Sequence, residues 1–257
     1  MFEKSLNKRL KNREAVVGSW ITLAHPTIAE IMANSGFDWL AVDLEHSVIT
    51  IREAEELMRI IELSGVAPMV RLTSNDPDQI KRVMDAGSHG VIVPMINTRE
   101  DAEKAVAAVK YPSVGKRGFG LARAQRWGNR FAEYLEWQKE NTTVIVQIEH
   151  IDAVTNIEEI LSVDGVDGFF VGPYDLSGSM GIPGQFDDAD FLEAIETVKK
   201  AGAARDIPSG IHIIEPDDQQ LVDRIQDGYQ FVAYSLDVRM LDVSCRTGLK
   251  AIQREKT

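Results

Sequence analysis

The chain has 257 residues, 44% of them hydrophobic, which allows a sizeable core and matches the length at which α/β barrels run as one domain. Its 28 Lys and Arg against 40 Asp and Glu give a formal charge of −12, which argues against nucleic acid or an anionic membrane surface as a partner. The lone cysteine, Cys245, excludes an intrachain disulfide and fits a reducing cytoplasm, the N-terminal segment lacks the apolar stretch of a signal peptide, and no apolar run is long enough to span a membrane.

Strand-like apolar runs alternate with helix-length amphipathic segments, and no Pro/Gly/Ser linker divides the chain. The first unit places a strand at Val16–Ile21 and a helix over 26–35, opened by Pro26. The second pairs Trp39–Leu44 with 50–64 behind Thr50, and the third pairs Ala67–Leu72 with 76–86 behind Asp76-Pro77. The fourth pairs Gly90–Met95 with 98–109 behind Asn97-Thr98. A long insertion follows over 111–128, carrying Lys116, Arg117, Arg123 and Arg126 among glycines, and then a short helix near 130–140. Loops of that length inside a compact domain are usually functional or disordered. The remaining strands fall at Val144–Ile148, Gly168–Gly172, Gly210–Ile214 and Phe231–Leu236, with helices over 152–161, 187–204, 217–226 (behind Pro216-Asp217) and 238–253. Eight βα units predict a closed (β/α)8 barrel, one domain over 1–257, rather than an open doubly wound sheet, which more often has fewer strands.

In such a barrel the active site gathers at the C-terminal ends of the strands. Reading those ends in order gives Asp43, Glu45 and His46, then Arg71, Pro94-Met95, Gln147 and Glu149, Asp175, His212 and Asp237. Taken singly, most of these are ordinary caps or solvated loop residues. Together they place a base, a cation and two carboxylates of metal-binding type on one rim. Glu149 and Asp175 suit Mg²⁺ or Mn²⁺, which are often held by one or two protein carboxylates with water and substrate completing the octahedron. A 2-oxo acid chelates such an ion, and the enolate left by proton loss is stabilised there. Arg71 is placed to hold a carboxylate or a developing oxyanion. His46, the side-chain type that exchanges protons near neutrality, is the acceptor, with Asp43 or Asp85 to orient its ring. Schiff-base chemistry competes, but no strand contains a lysine, so only Lys116 keeps it open. The seventh and eighth βα loops are acidic and lack glycine, which disfavours a phosphorylated substrate.

The segments Gly36-Phe-Asp-Trp-Leu-Ala-Val-Asp-Leu-Glu-His46, Val70-Arg71 with Asn75-Asp-Pro77, Val93-Pro-Met95, Arg117-Gly118 with Ala122-Arg-Ala124, Gln147-Ile-Glu149, and Val166-Asp-Gly168 through Gly172-Pro-Tyr-Asp-Leu-Ser177 resemble the HpcH/HpaI aldolases, nearly the whole chain in order. That family acts on 4-hydroxy-2-oxo acids such as 4-hydroxy-2-oxoheptanedioate and 2-dehydro-3-deoxyglucarate. The resemblance implies a divalent cofactor (Mg²⁺, Mn²⁺ or Co²⁺) on Glu149 and Asp175, His46 as base, Asp85 as the group that makes it more basic, and Arg71 as transition-state stabiliser. It sets Gln147 and the Gly172-Pro173-Tyr174-Asp175 turn against the oxo acid, with pyruvate and an aldehyde as products. It also implies a homo-oligomer, a hexamer in which the last helix packs on a neighbour through residues such as Val238, Leu241, Val243, Leu249 and Ile252.

Two departures stand out from the family pattern. The 117–124 loop is shorter, and Tyr174 stands where alanine is common; both are expected to reshape the aldehyde end of the pocket. The alternatives on the same site are a citramalyl- or malyl-CoA-type lyase, weakened by the acidic charge, or an oxaloacetate decarboxylase. From another class, an idle barrel could bind a sugar acid or a partner protein.

Overall fold

The structure, a computed structural model, describes residues 5–250. In chain order the elements are α1 (Leu6–Lys11), β1 (Val16–Ile21), α2 (Pro26–Ala33), β2 (Trp39–Asp43), α3 (Ile51–Leu63), β3 (Ala67–Arg71), α4 (Pro77–Asp85), β4 (Gly90–Val93) and α5 (Arg99–Val109). A 3-10 turn (Arg123–Gln125) precedes α6 (Phe131–Asn141), β5 (Thr143–Ile148), α7 (Ile151–Thr155), α8 (Ile157–Ile160), β6 (Gly168–Val171) and α9 (Pro173–Ser179). The chain then runs through α10 (Ala189–Ala204), β7 (Ser209–Ile213), α11 (Asp218–Gln226), β8 (Phe231–Leu236) and α12 (Asp237–Lys250). The eight strands close in sequence order, every neighbouring pair parallel, and β8 returns to β1.

The helices begin where local chemistry predicts. Thr50 and Thr98 each close a capping box, with Glu53 and Asp101, while Pro26 and Pro77 occupy the first helical turn, where no amide partner is needed. Parallel strands covered on both faces read as continuous apolar runs, and β2 and β4 are buried at every position. Outward-facing Leu40, Val42, Val70, Val91 and Val146 join the helices in one large core. Inward-facing Trp39, Ala41, Met69, Ile92, Ile145, Phe170 and Phe231 fill the barrel. Space there is rationed between rings and glycines: Trp39 stacks on Phe231 at 4.2 Å, and a Cβ at Gly18 would meet the Trp39 ring at 2.0 Å.

The last helix departs from the pattern. Only Asp237, its first residue, is buried, and Val238, Leu241 and Leu249 are exposed. Asp237 instead ties the barrel seam, accepting from the Thr22 and Leu23 amides at 2.8 Å and from Thr22 Oγ1 at 2.5 Å. Ile252 lies outside the described residues. No helix among the described residues is long and apolar enough to cross a membrane.

Candidate active site

Side chains alternate along a strand, so each inward apolar series continues upward in steps of two. Trp39 and Ala41 lead to Asp43, Met69 leads to Arg71, Ile145 leads to Gln147, and Phe231 and Ala233 lead to Ser235. With Trp20 on β1 and His212 on β7, these make a mostly polar top layer over an apolar barrel, the floor of a pocket at the C-terminal end.

Arg71 is the cation of that floor. Its guanidinium lies 4.4 Å from the Trp20 ring centroid, and it donates to Asp43 through Nε at 2.9 Å and Nη2 at 2.6 Å. Asp43, 1% exposed, also accepts from the Glu45 amide at 3.0 Å and the His46 amide at 3.3 Å, while its carbonyl accepts from Ser47 Oγ. One carboxylate therefore fixes both the arginine and the loop that presents His46. It acts on the histidine's backbone rather than on its ring. The exposed imidazole has Nε2 3.7 Å from Glu45 Oε2. Glu45 stands 3.4 Å from Arg71 Nε, yet Oε2 is buried without a hydrogen bond. Burial raises its carboxyl to about 7 against the opposing pull of Arg71, and Glu149, Asp43 and Asp175 add to the rise.

Glu149 follows β5 and is 3% exposed. It accepts from the Met95 amide at 2.7 Å and from Gln147 Nε2. Met95 turns its N–H to that carboxylate from a left-handed conformation, φ 53°. Burial raises the Glu149 carboxyl, and Asp175 raises it further against the Met95 and Gln147 hydrogen bonds. Gly172 is required beside it, because a Cβ would meet Glu149 Oε2 at 2.8 Å. The turn continues as Pro173, opening α9, with Asp175 exposed in its first turn. Tyr174 is exposed and edges Phe186 at 5.0 Å.

Thus Asp43, Arg71, Gln147, Glu149, Gly172, Pro173, Asp175 and His46 gather on one rim. Asp85 does not join them. Each helix returns antiparallel to its strand, so α4 carries Asp85 to the N-terminal end of the barrel, where it pairs with Arg117 at 2.5 Å. Within one chain it cannot orient the His46 ring. The long loop leaves the C-terminal end of α5 and lies on that same N-terminal face, so it does not shape the pocket of its own chain. Lys116 is exposed in that loop, its amide donating to Ala107 O at 2.6 Å, which removes the Schiff-base route within the chain. The sequence reading places Glu45 and His212 at strand ends without a role and does not single out Trp20. The alternation of inward positions was the signal that marks all three.

The profile of the HpcH/HpaI aldolase/citrate lyase family matches residues 17–242. This chain belongs to that family. It is 39% identical over 237 residues to a hydroxypyruvate/pyruvate aldolase from Sagittula stellata, covering 90% of this chain and 91% of the relative. It is equally 39% identical over 246 residues to a 4-hydroxy-2-oxo-heptane-1,7-dioate aldolase from Shigella flexneri, covering 93% and 89%. The solved structure of an HpcH/HpaI aldolase/citrate lyase family protein from Burkholderia cenocepacia J2315 superposes with a TM-score of 0.90 at 32% identity, over 97% of this chain and 99% of that one.

Members of an HpcH/HpaI fold that use a divalent ion need donors and a deficit of positive charge, and this rim has both. Glu45, Asp43 and Glu149 are buried or nearly so, with Asp175 beside them, against a single arginine. The buried Gln147 Oε1 and Glu45 Oε2 accept no hydrogen bond. Among the described residues no cluster of three or more His, Cys, Asp or Glu forms a closed metal cage. Two carboxylates with open positions fit Mg²⁺ or Mn²⁺, which retain water and substrate oxygens.

Proposed function

We propose that the chain is a divalent-metal-dependent pyruvate aldolase that reversibly cleaves a 4-hydroxy-2-oxo acid to pyruvate and an aldehyde. The observation that carries this reading is the buried Glu149, raised by burial and by Asp175, on a floor whose cation is Arg71. The names of the two relatives, both aldolases, agree with it.

Glu149 and Asp175 would hold the ion, Mg²⁺, Mn²⁺ or Co²⁺, which when bound would supply Lewis-acid stabilisation of negative charge on the oxo-acid oxygens. Gln147 fixes Glu149, and Gly172 lets the 172–175 backbone approach the substrate. Arg71 is locked by its two bonds to Asp43, leaving Nη1 for the substrate carboxylate or for charge developing on the keto oxygen. His46 removes the proton of the 4-hydroxyl. The C3–C4 bond breaks, its electron pair stays on C3 as the pyruvate enolate, and the aldehyde leaves. A proton delivered to C3 completes pyruvate.

The exposed apolar residues of α12 support a homo-oligomer. A groove of about 650 Å³ on the outer face of the barrel, lined by Ile28, Ile31, Phe37 and Leu221 and by Met240 and Leu241 of α12 itself, offers apolar surface on which another copy would pack. In the hexamer implied by the family, Asp85 can meet His46 only across a subunit boundary. The single free cysteine, Cys245, fits a reducing compartment such as the cytoplasm.

The test is aldol synthesis from pyruvate and a panel of aldehydes with Mn²⁺, followed by NMR. A 4-hydroxy-2-oxo acid forms with the native protein and not with Glu149→Gln. Equal rates for the two proteins, or no product with any aldehyde, would contradict the assignment.

A further inference from the structure

The polar floor holds one group that the cleavage chemistry leaves unused. His212 is the inward residue near the end of β7, in line above Gly210. Its ring stands edge-on to Trp20, centroids 5.7 Å apart, and 6.5 Å from Phe170, beside the arginine that anchors the substrate. It is half-buried. Nε2 lies 3.3 Å from the Ser235 carbonyl oxygen, which also accepts from Ser19 Oγ at 3.1 Å. A carbonyl can only accept, so Nε2 carries the proton and Nδ1 is left as a bare acceptor. Nδ1 has no hydrogen-bond partner among the described residues. Burial holds the imidazole well below its usual range, at about 4, so the acceptor persists at neutral pH.

An imidazole acceptor without a protein partner, set against two aromatic rings, distinguishes substrates by whether they bring an O–H. The methyl group of pyruvate has none, and an aldehyde or keto oxygen offers only lone pairs. We propose that His212 is a specificity-determining residue whose Nδ1 accepts a hydrogen bond from a hydroxyl group of the substrate, so that this site favours hydroxylated over deoxy carbon partners. The assignment rests on the aldolase reading above. The hydroxyl belongs either to C3 of the oxo-acid donor, as in hydroxypyruvate, or to the carbon next to the aldehyde group, as in glycolaldehyde.

Two substrate pairs separate these sources: hydroxypyruvate against pyruvate with one common aldehyde, and glycolaldehyde against acetaldehyde with pyruvate. kcat/KM is measured for each pair in the native protein, in His212→Leu, and in His212→Asn, whose Oδ1 stands near the position of Nδ1. In His212→Leu the hydroxyl-to-deoxy ratio falls about tenfold for one pair, and that pair identifies the carbon; His212→Asn recovers part of the loss. A purely structural role would lower both members of a pair together, so unchanged ratios in His212→Leu would overturn the assignment. Metal-dependent exchange of pyruvate methyl protons is followed on the native protein alongside. Unchanged ratios with that exchange present overturn the role of His212 alone, whereas its absence overturns the aldolase reading and the role of His212 with it.

Discussion

The two ends of the barrel carry similar buried charges and treat them in opposite ways. At the N-terminal face each buried cation is answered. Arg117 meets Asp85 at 2.5 Å, the Tyr134 hydroxyl at 3.1 Å and the Tyr111 ring at 4.5 Å; Arg123 and Arg126 share Glu62. The Lys110 ammonium caps α6 through Thr142 Oγ1 at 2.6 Å and nearby carbonyls. At the C-terminal rim four carboxylates, Asp43, Glu45, Glu149 and Asp175, gather around the one arginine, Arg71. Buried charges are normally paired or bound to a metal, so the excess of carboxylates over cations marks the end suited to receive a cation.

The sharpest break in this comparison is Glu149→Gln. Aldolase activity falls on the order of 10³-fold, the kinetic worth of several kcal/mol of lost charge stabilisation, while the unfolding midpoint is held or rises because a buried, unneutralised carboxylate is gone. Calorimetry with and without Mn²⁺ reads both effects; a large fall in midpoint would give Glu149 a structural role instead. At the other end Arg117→Met inverts the pattern. Denaturant unfolding should show a loss of about 3 kcal/mol or more, because Asp85 and the Tyr134 hydroxyl lose the buried guanidinium that pairs with them. His46→Ala slows proton transfer by roughly 10²–10⁴-fold while pyruvate binding persists, checked by isotope exchange against calorimetric affinity.

The smallest effect is on stability against pH. Glu45 binds its proton more tightly folded, at about 7, than its ordinary 4.5, so its contribution is full below about 4.5 and is lost as pH rises through 7. In chelator-treated protein that alkaline loss should appear in melting curves, vanish in Glu45→Gln, and shrink when Mg²⁺ is added. His89 and His212, lowered to about 4 by burial, act in the other direction: stability present above 6.5 is lost as pH falls toward 4.

The barrel was legible because its strands are unbroken apolar runs; Val16–Ile21 and Phe231–Leu236 were read to the residue. The rim was legible as the first polar residues beyond those runs. α9 was not, since Gly172-Pro-Tyr-Asp looks like a turn, and neither was α1, too short for a periodic signal. The break between α7 and α8 at Asn156 was missed for the same reason. The insertion at 111–128 suggested a pocket loop by its length and charge, although a segment joining a helix to the next strand must lie at the opposite end. Alternation along the strands sets Glu45 and His212 facing inward, but their partners, the His46 ring and the Ser235 carbonyl, depend on side-chain directions that no spacing encodes. The apolar stripe of α12 was visible, but a stripe does not say whose surface it covers.

The central claim is that the carboxylate-rich rim generates a pyruvate enolate with the help of a divalent ion. Exchange of pyruvate methyl protons with D₂O, followed by NMR after chelator treatment and again with Mg²⁺ or Mn²⁺ restored, tests it most directly. The account predicts exchange only when the ion is restored, and little in Glu149→Gln under the same conditions. Exchange that survives chelation, or none with either ion, would contradict it.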